Sequence, residues 1–174
     1  MKIAMMEDLY LAELRDLYDA EKQLLKALPK MAKAVKAPEL RDAFTQHIDE
    51  TKAQVQRLEE IFKRFDEEPE GKKCKAMKGL IAEAKDYLSE DAEPELIDVG
   101  LITAAQKIEH YEIAGYGCAA TYARLLGYED DAQALHQTLT EEKAADEMLT
   151  QLAQGINLEA AEAEVPLDRV PPDV

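Results

Sequence analysis

The sequence predicts an all-α protein, a four-helix bundle of two antiparallel helical hairpins joined by a long crossover that contains a short fifth helix. Three observations predict it. Of the 174 residues, 47% are hydrophobic and 33% charged, with seven Gly and no Trp, a balance that favours soluble helical structure. Four long stretches carry apolar residues at helical spacing, and no strand alternation competes with them. The connections run short, long, short, which makes each pair an antiparallel hairpin and the middle segment a crossover.

The first helix is predicted from about residue 6 to 36, with a kink or break at Pro29, because proline removes an amide donor and crowds the preceding turn. The "KAPE" stretch at 36–39 makes a short turn, and Pro38 suits the first turn of the next helix. That second helix, about 38–65, carries Leu40, Phe44, Ile48, Val55, Leu58, Phe62 and Phe65. Residues 66–95 open with "DEEPEGKKCK" and close with "SEDAEPE"; between them Met77, Leu80, Ile81, Ala84 and Leu88 predict one short amphipathic helix. The third long helix spans about 94–126 and stops at Gly127, suited to a left-handed cap. The fourth runs from about 129 to 154, with Gly155 ending it. The tail "AEAEVPLDRVPPDV" lacks periodicity, so the bundle is placed at 1–156 and an extended or disordered tail at 157–174.

Charge and cysteine content narrow the function classes. A formal net charge of −16 makes nucleic acid and anionic membranes poor partners. The main basic patch, "GKKCKAMKG", reads as a solvated loop. Cys74 and Cys118 show no metal-finger or CxxC spacing and read as reduced thiols, Cys118 as a small packing residue and Cys74 in a basic, partly exposed loop that would lower its thiol pKa. Acidic residues interrupt "MKIAMMEDLYLAEL" where a secretion signal needs an apolar core, and no stretch reaches the ~18 apolar residues of a membrane span. A cytoplasmic location is expected. No phosphate-binding loop, dinucleotide fingerprint or serine-hydrolase elbow occurs.

The unusual feature is carboxylates on apolar faces. In "LYDAEKQLLKAL", Glu21 lies near the centre of an arc formed by Tyr10, Leu14, Leu17, Tyr18, Leu25 and Leu28, counting about 100° per residue. In the third long helix Glu112 falls inside the arc of Leu101, Ala105, Ile108, Ala119, Ala123 and Leu126. Glu109 lies about 60° away, on the side of Tyr116 and Ala120. Glu142 is central to the face of Leu135, Leu139, Leu149, Ala153 and Ile156, and Asp146 lies toward its edge. The second helix has His47 inside its arc and Glu50 at the flank, three residues apart and able to point at one place.

A single such carboxylate is readily a helix end, a snorkelling side chain or a wet contact. Four on four helices ask for a common cause. Each isolated carboxylate costs several kcal/mol to bury, so the set is either protonated or neutralised by cations. Two divalent ions balance four glutamates, and carboxylates with one imidazole suit iron or manganese better than calcium or zinc. Tyr18 and Tyr116 read as core aromatics rather than as hydroxyls serving the site, and His110 and His136 as surface residues.

At these residues the sequence resembles the ferritin-like YciE/YciF family of bacterial stress-associated proteins. The likeness is carried by "LYDAEKQLLKAL", "HIDETKAQVQRLEEIF", "CKAMKGLIAEA", "AAQKIEHYEIAGYG" and "TLTEEKAADEMLTQLA", which extend over about residues 6–153. The resemblance implies a rubrerythrin-like four-helix bundle with an added crossover helix, a dimetal site and a homodimer. Its motifs carry over Glu21, His47, Glu50, Glu109, Glu112 and Glu142 as metal ligands. One departure stands out. Ferritin-like proteins typically show Glu-x-x-His on two helices, whereas here the order is His47-x-x-Glu50, and the fourth long helix offers Glu142 and Asp146 with no His in register. The expected function is a stress-response protein with two iron or manganese ions reacting with peroxide or oxygen. The alternative is a metal-binding or structural dimer without turnover. Iron storage would need a shell-forming surface for which the sequence gives no sign.

Overall fold

The computed structural model describes residues 3–69, 72–89 and 92–163. They form five helices and, among the described residues, no strand: α1 (Met6–Ala34), α2 (Pro38–Arg64), α3 (Lys75–Ser89), α4 (Pro94–Leu125) and α5 (Glu129–Ala163). Helices α1 and α2 form one hairpin and α4 and α5 the other. The hairpins pack α1 on α4 and α2 on α5, while α3 lies against α1 and α4. No helix among the described residues is long and apolar enough to cross a membrane.

The helix ends follow from local chemistry. Pro38 and Pro94 stand in the first turns of α2 and α4, where the missing amide costs nothing. Gly127 adopts φ +81°, and Tyr128 N donates to the Ala123 carbonyl at 2.9 Å, closing α4 with a left-handed cap. Asp98 of α4 accepts from Lys36 N at 2.9 Å and Ala37 N at 2.8 Å, and so binds the α1–α2 turn to the other hairpin. Asp19 of α1 does the same for α3, accepting from Cys74 N at 2.8 Å.

α1 runs without a break through Pro29 to Ala34, close to the expected end near 36. The proline sits on the exposed face, while Leu28, Met31 and Ala32 anchor the last turns in the core, offsetting the lost hydrogen bond. Gly155 does not end α5. The helix continues to Ala163, with Ile156 packed on the core and Ala160 buried. Residues 157–163 are therefore helical rather than extended, and the rest of the expected tail, 164–174, lies outside the described residues.

The core falls into two apolar clusters. One gathers Leu24, Leu28 and Met31 of α1, Leu40 and Phe44 of α2, Met77 and Ile81 of α3, Leu101 and Ile108 of α4, and Leu149 of α5. The other gathers Tyr10, Leu14 and Leu17, then Leu58, Ile61 and Phe62, then Tyr116 and Ala119, then Leu135. Along each long helix one polar stretch separates them: Glu21 on α1, His47 to Gln54 on α2, Glu109 and Glu112 on α4, and Glu142 on α5.

Candidate metal centre

That polar layer is deeply buried. Glu21, Glu112 and Glu142 are 0% exposed, Glu109 2% and His47 6%. One ligand atom from each of His47, Glu109, Glu112 and Glu142 lies within 4.8 Å of the others, a group able to hold a metal ion. His47 Nε2 faces Glu109 Oε1 at 3.4 Å and Glu142 Oε2 at 3.9 Å, while its Nδ1 faces Glu50 Oε2 at 3.3 Å. Glu21 is held by Tyr116, whose hydroxyl donates to Oε1 at 2.5 Å.

What remains is a set of buried polar atoms without hydrogen-bond partners. Both oxygens of Glu112, both of Glu142, Glu21 Oε2, Glu109 Oε2 and His47 Nε2 have no hydrogen-bond partner. Buried polar groups in folded proteins are nearly always satisfied. A cluster of orphans aimed at one layer is the arrangement expected of a cation site.

The protonation behaviour agrees. Burial raises Glu21 to about 7, a rise restrained by the Tyr116 hydroxyl and by His47. Burial and the charge of Glu21 raise Glu142 to about 7. Burial also lifts Glu109 and Glu112 well above the usual carboxylate range. Burial works against the His47 imidazolium, but the carboxylates of Glu109, Glu50, Glu142 and Glu21 outweigh it and raise His47 to about 10. Protons thus stand in for positive charge that the layer otherwise lacks.

The sequence candidates divide by position. Glu21, His47, Glu109, Glu112 and Glu142 share the buried layer. Glu50 is half-buried on the far side of the imidazole. Asp146 sits at the rim, its Oδ1 3.6 Å from the exposed His110. His136 is on the surface as expected.

Three expectations are corrected. Tyr116 is not merely a core aromatic, since its hydroxyl serves Glu21; Tyr18 points away and donates to Glu59. Cys74, expected in a partly exposed basic loop of the kind that can lower a thiol pKa, is buried at 1% and its thiol is raised by burial. Cys118, expected to pack, is exposed. The last two reverse because Cys74 directly precedes α3 and turns inward to meet Tyr111, whereas Cys118 lies on the outer face of α4.

Sequence reasoning missed the α2–α5 tie beside the layer. Arg57 grips Glu141 through both terminal guanidinium nitrogens, at 2.5 and 2.7 Å, and also donates to Thr138 at 3.0 Å. The signal was available only as an unremarkable arginine and glutamate on separate helices. A cavity of about 120 Å³ between α2 and α5 extends from exposed Gln46 and Met148 to buried His47 and Glu109. Its walls include Phe44, Ala144 and Leu149 and the carboxylates of Glu50 and Glu141.

Comparison with known proteins agrees with this architecture. The family described as a domain of unknown function, DUF892, matches residues 5–162. Protein YciF of Escherichia coli K12 is 44% identical over 154 residues, covering 88% of this chain and 93% of YciF. The crystal structure of the E. coli stress protein YciF superposes with a TM-score of 0.86 at 43% identity, over 88% of this chain and 98% of that one. YcfI of Rhodopseudomonas palustris follows at 0.83 and 42%, over 86% and 95%. A Xanthomonas campestris protein, 24% identical, shares the fold at 0.71, over 92% and 99%. With its profile matched across nearly the whole described chain and a close relative in YciF, this protein belongs to the DUF892 family and is a homologue of the stress protein YciF.

Proposed function

We propose that the polar layer holds two divalent transition-metal ions, iron or manganese, and that the protein uses them against peroxide or oxygen during stress. The observation that carries this reading is the set of orphaned, fully buried carboxylate and imidazole atoms between two apolar clusters. The donor set fits: one nitrogen and four carboxylates supply a formal −4, which two divalent ions neutralise. Bound iron or manganese supplies open coordination positions and redox chemistry for a small oxidant.

The residues divide the work. Glu21, His47, Glu109, Glu112 and Glu142 would hold the ions. Glu50, on Nδ1 of His47, fixes the tautomer that leaves Nε2 free to bind. Tyr116 orients Glu21 and keeps one of its oxygens from turning into the layer. The cavity between α2 and α5, about 120 Å³, has room for a molecule of the size of peroxide beside His47 and Glu109.

Metal analysis of protein purified from iron- and manganese-supplemented cells tests the reading. About two ions per chain are expected, falling by more than half in Glu112→Gln and Glu142→Ala. Because Glu112 has no partner for either oxygen, Glu112→Gln should leave the metal-free protein as stable as the parent or more so. Metal content below about one ion per several chains, unaltered by both substitutions, would sink the proposal. Peroxide consumption lost in the same variants assigns turnover; metal retained without consumption assigns a binding role alone.

A further inference from the structure

The chain carries many more acidic than basic residues, yet six lysines line one groove. Lys22 and Lys26 of α1 face Lys72 and Lys73, just before α3, and Lys75 and Lys78 in its first turn across about 570 Å³. Two of them are neutralised: Lys72 by Asp16 at 2.9 Å and Lys73 by Asp19 at 2.9 Å. Lys22 lies over the Tyr18 ring, 5.6 Å from its centroid. Lys22, Lys26, Lys75 and Lys78 make no ion pair among the described residues and are exposed. Asp19, the carboxylate in this wall, is committed to Lys73, Gln23 and Cys74 N.

Beneath the lysines the groove leads inward. Cys74 lines it, and its Sγ lies 3.0 Å from the hydroxyl of Tyr111. Tyr111 donates to Asp16 and immediately precedes Glu112 in the chain. One sulfur–hydroxyl contact, the Tyr111 side chain and one peptide unit of α4 therefore connect the groove to Glu112 of the buried layer. Electron tunnelling falls off less steeply along such bonded paths than across open gaps.

We propose that the lysine groove is the docking surface of a small acidic electron-transfer protein, carrying a flavin or an iron–sulfur group, that reduces the metal centre through the Cys74–Tyr111 contact. This rests on the metal reading for its purpose but not for its docking. The balance is simple: the donor is oxidised by two electrons in successive single steps, and one hydrogen peroxide with two protons takes them up to give two waters. Cys74 and Tyr111 conduct and are not consumed.

The chemistry of the wall favours this partner. All six charges are lysines, compact ammonium groups on flexible stems that attract without imposing the fork geometry of arginine. That suits small, rapidly exchanging redox encounters held by local charge complementarity at the groove. A long nucleic acid would extend beyond the groove onto a surface of net charge −16.

Reduced plant-type ferredoxin, a small acidic iron–sulfur protein, is the probe. NMR titration with the full chain should show shifts at Lys22, Lys26, Lys75 and Lys78 that weaken steeply with salt. Reversing those four lysines to glutamate should lower affinity about tenfold or more; reversing Lys85 and Lys143, exposed elsewhere, should change it little. Docking should persist in metal-free protein and in Glu112→Gln, which separates its failure from failure of the metal reading. With metal-loaded protein and peroxide, Tyr111→Phe should slow ferredoxin oxidation several-fold while leaving docking intact. Absence of binding at low salt, equal loss in both reversal variants, or tighter binding of short single-stranded DNA overturns the docking surface. Docking without any ferredoxin oxidation overturns the electron path.

Discussion

At the scale of single residues, the pair Tyr116 and Glu21 decides how the layer behaves. Tyr116 is wholly buried and gives its proton donor to the one Glu21 oxygen that has a partner. Tyr116→Phe keeps the ring and orphans the second oxygen. It should destabilise the metal-free protein by about 1–2 kcal/mol, measured by urea unfolding, and push Glu21 further upward, since the hydroxyl restrains its rise. An unchanged midpoint would mean that Glu21 finds another donor. Helical spacing alone placed Tyr116 on the face of Glu109 and Ala120; it could not show that a hydroxyl from α4 meets a carboxylate from α1.

At the scale of elements, two contacts hold the hairpins in the register that the layer needs. Asp98 carries the α1–α2 turn on its two oxygens. Asp98→Ala leaves two amides without that acceptor and should cost about 1–3 kcal/mol, with Asp98→Asn losing roughly half as much; thermal melts of the three proteins decide it. Gly115 lets α4 approach α1, since an added Cβ would come within 2.7 Å of Leu17 Cδ2. Leu17 is fully buried, so Gly115→Ala must displace it within a filled core. A loss of about 1–2 kcal/mol is expected, and a neutral result would show that the second apolar cluster has room to yield. Neither residue stood out in the sequence, because a lone Asp near a helix start and a lone Gly inside a helix have many ordinary explanations.

At the scale of the molecule, the buried layer makes stability depend on pH in a defined direction. Glu21 and Glu142 have ordinary values of 4.5 and folded values of about 7. Between those limits the folded chain holds more protons than the unfolded one, so their stabilisation is present below about 4.5 and lost as pH rises through 7. His47, raised from 6.5 to about 10, acts in the same direction over its own range. The metal-free protein should therefore melt highest near pH 5 and progressively lower at pH 7 and 9. Metal binding needs the deprotonated ligands, so the rise in melting temperature on adding iron or manganese should grow with pH. A metal-free protein that melts highest at pH 9 would contradict both statements.

The sequence by itself determined the five helices, the crossover and the family, because helical periodicity and turn chemistry are local and the motifs run along one chain. It also marked Glu21, Glu112 and Glu142 as inward, since an angle around a helix axis can be counted from residue numbers. It could not say that Pro29 would leave α1 unbroken, where Gly155 would be overridden by packing, which thiol turns inward, or how near His47 the side chain of Glu109, named by the resemblance but off the apolar arc of its helix, would stand. Only the tertiary structure decided those, because each depends on the position of a neighbouring helix along its axis. That offset sets which side chains from different helices meet in one layer, and it is fixed by long-range contacts such as those of Asp98 and Gly115.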